Sequence, residues 1–218
     1  MQQPQYSFCE TYSATKLIYR DIADCPTFSV DTGSFIDMTC FCLGGASYFE
    51  AALLNSKAMW FALKSTTTIA SGGFFRMKSQ YLEPLPIPFT SDVAKSELGK
   101  LAERAQAAAE KRYERQQAVT RRIPDIAPDP ENVKLTTRLR YWWNAPSFAA
   151  FQKEVEKALK AKITLQERNE WESWIAETRA EINVLTAEIA RLEAEINAKV
   201  YALFDLTPDE IALLEANI

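Results

Sequence analysis

The chain has 218 residues, 47% of them hydrophobic, and a formal net charge of −4, which is enough for one or two domains with a real core. It contains no histidine, and that excludes Ser-His and Cys-His catalysis and every histidine-ligated metal site. No run of about 18 apolar residues occurs, so no membrane span is expected; the opening residues lack the layout of a signal peptide, which makes the cytoplasm the expected compartment.

The charge is unevenly spread. Residues 1–90 carry six Lys/Arg against seven Asp/Glu, residues 91–146 eleven against eight, and residues 147–218 eight against fourteen. A protein that lives by non-specific phosphate contact is basic overall, so any nucleic-acid contact here has to be a local patch, beside a more basic partner. Cys9, Cys25, Cys40 and Cys42 include no CxxC pair. They read as small buried hydrophobes in a reducing compartment, with no metal site expected.

In chain order, Lys16–Arg20, Thr27–Val30 and Met38–Leu43 read as three strands separated by turn residues. Ser47 with Glu50 has the pattern of a capping box, and one or two short helices come next, broken near Asn55-Ser56. Gly72-Gly73 makes a flexible turn into Phe74–Lys78, read as a short strand. Gln80-Tyr81-Leu82 then leads into Pro84, Pro86 and Pro88, whose fixed φ and missing donors force an extended strap.

Beyond the strap the pattern is helical. Ser91 to about Arg122 is one helix with a thin apolar stripe that needs a partner, and Pro124, Pro128 and Pro130 make a linker at 123–133. Leu135–Trp143 is a short amphipathic piece, and Ser147 starts a helix through Leu159. From about Leu165 to Phe204, with Ile175 at position a, the heptad register has nine seam sites, of which only Thr178 and Lys199 are not strongly apolar. That is a coiled-coil seam, or a long helix packed on a globular body. Thr207-Pro208-Asp209-Glu210 caps a short last helix. The expected fold is α+β: a small mixed-sheet lobe over 1–90, then a long antiparallel helical (coiled-coil) hairpin over 91–218.

The series KLIYRDI, TFSVD and TCFCL, then Leu54-Asn55-Ser56-Lys57, the exit Lys78 to Pro88, and the tail Val200 to Ile211 together resemble one known family. It is the C-terminal, TaqI-like specificity region of type II (fused restriction–modification) adenine-specific DNA methyltransferases, and the likeness runs over nearly the whole chain. The resemblance implies a target-recognition lobe that reads a short sequence in double-stranded DNA, braced by helices on a catalytic domain in cis or in trans. It implies S-adenosylmethionine on that partner domain and no cofactor in this chain. The chain departs from the family by lacking an Asn-Pro-Pro-Tyr or Asp-Pro-Pro-Tyr tetrapeptide and a glycine-rich loop of cofactor-binding spacing. It is therefore expected to be non-catalytic alone: a fragment, a split subunit or a remnant. Asp129-x-Glu131-x-x-Lys134 has the letters of a metal-nuclease site but the wrong spacing, in a proline linker.

Base reading needs side chains of fixed donor and acceptor geometry. The candidates around the glycine turn are Lys64, Thr66, Thr67, Thr68, Arg76, Lys78 and Gln80. Arg76 and Lys78 share one strand face, either to read bases as a pair or as a solvated face. Lys16, Arg20 and Lys57 read as phosphate, partner or structural contacts. Arg121 and Arg122, with Arg112 and Arg115, either meet phosphates or a partner or pair with Glu110 and Glu114. Trp142 and Trp143 either stack on a ligand or pack. Two functions are in view: a DNA-recognition module of a restriction–modification N6-adenine methyltransferase, or a helical assembly scaffold or remnant without DNA reading.

Overall fold

Alternating apolar residues at Leu17 and Tyr19 make the central strand of the first layer. The computed structural model describes residues 14–36 and 39–218. Strand β1 (Thr15–Arg20) lies between β3 (Ser29–Thr32) and β4 (Cys40–Gly44), antiparallel to both, with Leu17 opposite Val30 and Leu43. A second ladder pairs β2 (Ile22–Ala23) with β5 (Phe75–Arg76). Every one of these pairings is antiparallel, where a mixed sheet was expected. Cys9 and Met38 lie outside the described residues.

Helices α1 (Tyr48–Leu54) and α2 (Lys57–Thr66) break where the sequence indicates. Ser47 and Glu50 form both halves of the capping box, and Ser56 caps α2 while donating to the Leu53 carbonyl at 2.6 Å. Asn55, in the break, accepts from the Phe28 N–H at 3.0 Å and donates to the Phe28 carbonyl at 2.7 Å. Gln106 does the same at Val30, with both bonds 2.8 Å. The outward backbone groups of edge strand β3 are thus met by two side-chain carboxamides. Lys16, read as a phosphate, partner or structural contact, is structural: it is fully buried, with its Nζ 2.7 Å from Asp31, its cross-strand neighbour. Burial raises the Asp31 carboxyl, but hydrogen bonds from Lys16 and Ser34 outweigh it and hold the pKa below the ordinary carboxylate value.

Prolines shape the path out of this lobe. Gln80–Leu82 lies in a single helical turn, α3 (Ser79–Leu82), rather than leading straight into the strap; residues 83–91 then run without regular structure. Helix α4 (Asp92–Thr120), α5 (Thr137–Arg140), α6 (Phe148–Leu159), α7 (Arg168–Leu203) and α8 (Pro208–Glu215) complete the chain. Ser147 and the Thr207–Glu210 box cap α6 and α8 as read from the sequence. Among the described residues no helix is long and apolar enough to cross a membrane.

The chain divides into two compact units: the described part of Met1–Gln106 with Arg191–Ile218, and Ala107–Ala190. In the first, one cluster joins Leu17, Tyr19, Trp60, Leu63 and Met77, and another joins Phe49 and Leu53 to Leu98 and Leu101 of α4 and to Leu192, Ile196 and Val200 of α7. Lys199 reaches Glu97 at 2.9 Å. In the second unit, Val119, Ile123, Leu139, Phe151, Val155, Ile175 and Ile182 surround Trp142, whose indole N–H donates to the Gln116 carbonyl at 3.1 Å. Trp142 therefore packs rather than stacking on a ligand. Arg115 to Glu181 (2.8 Å) and Arg112 to Thr186 (3.5 Å) set α4 and α7 antiparallel there.

Substitutions at the strand edge and at the helix seam test this packing. Asn55→Ala and Gln106→Ala should each cost about 1–3 kcal/mol, the penalty for unpaired half-buried backbone groups, read as a lower denaturant midpoint. Leu192→Asp puts a carboxylate at a fully buried seam site and should cost about 3 kcal/mol or more, while Val184→Asp, on the exposed face of the same helix, should leave melting unchanged.

Candidate functional site

Thr67 ends α2 in an extended conformation, and from there the chain runs out, turns and comes back. The Thr67 hydroxyl donates to the Arg76 carbonyl at 2.5 Å, the Arg76 N–H to the Thr68 carbonyl at 3.2 Å, and the Ala70 N–H to the Phe74 carbonyl at 2.6 Å. Ile69 and Phe75 bridge between them. At the tip, Gly72 and Gly73 take φ of 78° and 83°, the left-handed region that glycine enters without strain. Residues 67–76 are thus a small hairpin, and its returning arm, β5, is also held by β2. There the Met77 N–H donates to the Asp21 carbonyl at 2.7 Å.

Side chains alternate along the returning arm. Phe75 turns inward, its ring 5.4 Å from Trp60 and edge-on to it, and Met77 is fully buried. Arg76 is half-buried and Lys78 exposed, so the two share the outer face. Tyr81, on α3, lies behind them, with its hydroxyl 3.3 Å from that of Thr68. The Tyr81 phenol is held below its ordinary pKa, first by the Thr68 hydrogen bond, then by one with Gln80, with the positive charges of Lys78 and Arg76 adding to it. Thr68, Arg76, Lys78, Gln80 and Tyr81 therefore form one exposed, cationic, hydroxyl-bearing surface. The sequence from 51 to 82 supplies Lys57, Lys64, Arg76 and Lys78 and no Asp or Glu.

Other candidates are committed elsewhere. Lys64 donates to the Asn217 carbonyl at 2.9 Å and sits 5.7 Å above the Phe75 ring, bracing the hairpin from inside. The Thr66 hydroxyl bonds back to the Leu63 carbonyl in its own helix at 3.1 Å. Lys57 pairs with Glu215 at 2.9 Å, and its N–H donates to Asn197. Arg20 is exposed, with its N–H bonded to Thr27. In the other unit, Arg121 donates to the Gln117 carbonyl and Arg122 pairs with Asp125 at 3.3 Å. Tyr81 was missed in the sequence; its spacing from Lys78 across one helical turn was the signal for it. Asp129 accepts from Asn132 at 2.7 Å in a tight turn, and among the described residues no group of three or more Cys, Asp or Glu side chains is arranged to hold a metal ion.

The fold is thus an α+β protein whose second half is built of long helices. The model of a family described as a domain of unknown function (DUF8810) matches residues 91–200, half of the chain, and the chain belongs to that family. No curated protein and no solved structure matches the chain. The hairpin and its cationic surface lie outside the matched segment.

The electrostatics of this surface are open to titration. The ultraviolet difference between the wild type and Tyr81→Phe should isolate a phenol that ionises below the ordinary value of about 10, clear of Tyr19 and Tyr201, which burial pushes up to about 12. Thr68→Val should raise the Tyr81 pKa more than Lys78→Ala does, since the hydrogen bond is the larger cause.

Proposed function

We propose that this chain is the DNA sequence-recognition module of a restriction–modification N6-adenine methyltransferase. The catalytic domain, with its S-adenosylmethionine, is supplied in cis or in trans by residues outside this sequence. The observation that carries the reading is the gathering of Thr68, Arg76, Lys78, Gln80 and Tyr81 on one exposed hairpin surface in a stretch without a single carboxylate.

The chemistry suits duplex DNA. Arg76 presents the donor fork that pairs with guanine O6 and N7, Gln80 the amide that pairs with adenine N6 and N7, and Lys78 a point charge for phosphate. The lobe positions and reads, while the partner domain extrudes and methylates the adenine. The resemblance of the 54–57 and 78–88 segments to TaqI-like specificity regions supports the same reading. A helical assembly scaffold or remnant is the second reading, and the near-neutral balance of residues 1–90, six Lys/Arg against seven Asp/Glu, favours it.

Fluorescence anisotropy of the full chain on mixed-sequence duplexes tests the choice. The wild type should bind, and Arg76→Ala with Lys78→Ala should weaken binding. If both side chains neutralise phosphates, the slope of log affinity against log salt should fall by roughly 1.8, at about 0.9 per contact. If they read bases, the slope should hold and the preference among duplexes should flatten. A wild type that binds no better than the double variant would remove the DNA reading and leave the scaffold.

A further inference from the structure

The tip of the hairpin carries a feature that phosphate or base-edge contact does not use. Ile69 is 71% exposed and Phe74 37% exposed, on the two arms just below the Gly72-Gly73 turn. Phe75 is the anchor, seated against Trp60, and Phe74, its neighbour in an extended segment, is presented on the opposite side. The Phe74 ring lies over the turn, 3.6 Å from where a Cβ on Gly72 would stand. The result is a slim tip with two apolar side chains, rooted in a surface bearing Arg76 and Lys78.

We propose that Ile69 and Phe74 form an apolar wedge that enters between stacked base pairs of duplex DNA while the cations at its root hold the flanking phosphates. This rests on the DNA-recognition reading above and extends it to a mode of recognition. Charge complementarity decides the occupant: Arg76 and Lys78 stand at the root of the wedge, in a stretch from 51 to 82 with no acidic side chain. Protein-docking surfaces are broad apolar patches, whereas two apolar side chains above a root that bears Arg76, Lys78 and Thr68 match what kinks a base step. Flexible pyrimidine–purine steps open most readily, so the wedge selects for deformability where it makes no hydrogen bond.

The experiment uses the full chain and duplexes carrying, at successive positions, a fluorescent adenine analogue that brightens on unstacking. The wild type should brighten the analogue at one step, and Ile69→Ser with Phe74→Ser should abolish the signal and weaken binding on the order of tenfold, with an unchanged salt slope. Phe74→Leu, which keeps an apolar wedge, should retain the signal. Both side chains are exposed, so melting temperatures should not move, and equal melting is the control. Wild-type binding without brightening, or an Ile69→Ser/Phe74→Ser protein that binds and brightens like the wild type, overturns the wedge and assigns the tip to a protein contact, leaving DNA recognition standing. No duplex binding by the wild type overturns both.

Discussion

The edge of a three-stranded sheet has to be closed, and in this protein that need organises the first unit. Strand β3 pairs with β1 on one side only, so the backbone groups of Phe28 and Val30 on the other side would be unpaired. Asn55 and Gln106 each answer one residue with a donor and an acceptor from a single carboxamide. Because a carboxamide is planar and two-sided, the pairing fixes its distance and its orientation together. Asn55 thereby sets where α1 ends and α2 begins, and Gln106 ties α4 to the same strand.

The break at Asn55-Ser56 has wider consequences. Ser56 uses its hydroxyl twice, as cap to Met59 and as donor to Leu53, so one side chain serves both ends of the break. Lys57 then links the start of α2 to Asn197 of α7 and Glu215 of α8. The redirected α2 carries Trp60 and Lys64 to the two sides of Phe75, one edge-on and one above the ring. A four-residue segment thus positions the hairpin from a distance. This is why the 54–57 motif is structural in its own contacts and bears on the candidate site only through the elements it holds.

Local signals were legible in the sequence wherever one residue answers another within a turn. The boxes Ser47–Glu50 and Thr207–Glu210, the Ser147 cap and the proline ends of α4 are interactions across three or four residues, and each stands as read. Strand ladders of two residues, such as β2 with β5, have no period to detect. Which of its readings Lys16 would take was hidden for a related reason: its burial depends on Asp31, which only the β1–β3 register brings opposite it. Arg76, Lys78, Thr68 and Gln80 were legible as a group because they lie within one short turn-centred stretch. Lys64 and Thr66 were not separable from them, because their commitments to Asn217, Phe75 and Leu63 depend on the folded path.

Helix α7 shows the same limit at longer range. Of the nine register sites, Ile175, Thr178, Ile182, Ile189, Leu192 and Ile196 are buried, even the threonine, and Leu185, Lys199 and Leu203 are half-buried. At Lys199 the register fails and Val200 is buried in its place. A straight helix of 3.6 residues per turn drifts by about 20° per heptad against a 3.5-residue seam. After three heptads the inward direction has moved by roughly 60°, more than half the step of about 100° between successive residues. α4 lies antiparallel to α7 where Arg112 and Arg115 meet Thr186 and Glu181, and its Leu98 and Leu101 meet Leu192, Ile196 and Val200. Ile175 and Ile182 pack with α6 and the Trp142 cluster, while Leu192, Ile196 and Val200 pack with α4 and α1. Lys199, beside the buried stripe, meets Glu97 of α4 instead. The seam in the sequence is therefore real: it is the buried stripe of α7, against which α4 packs antiparallel.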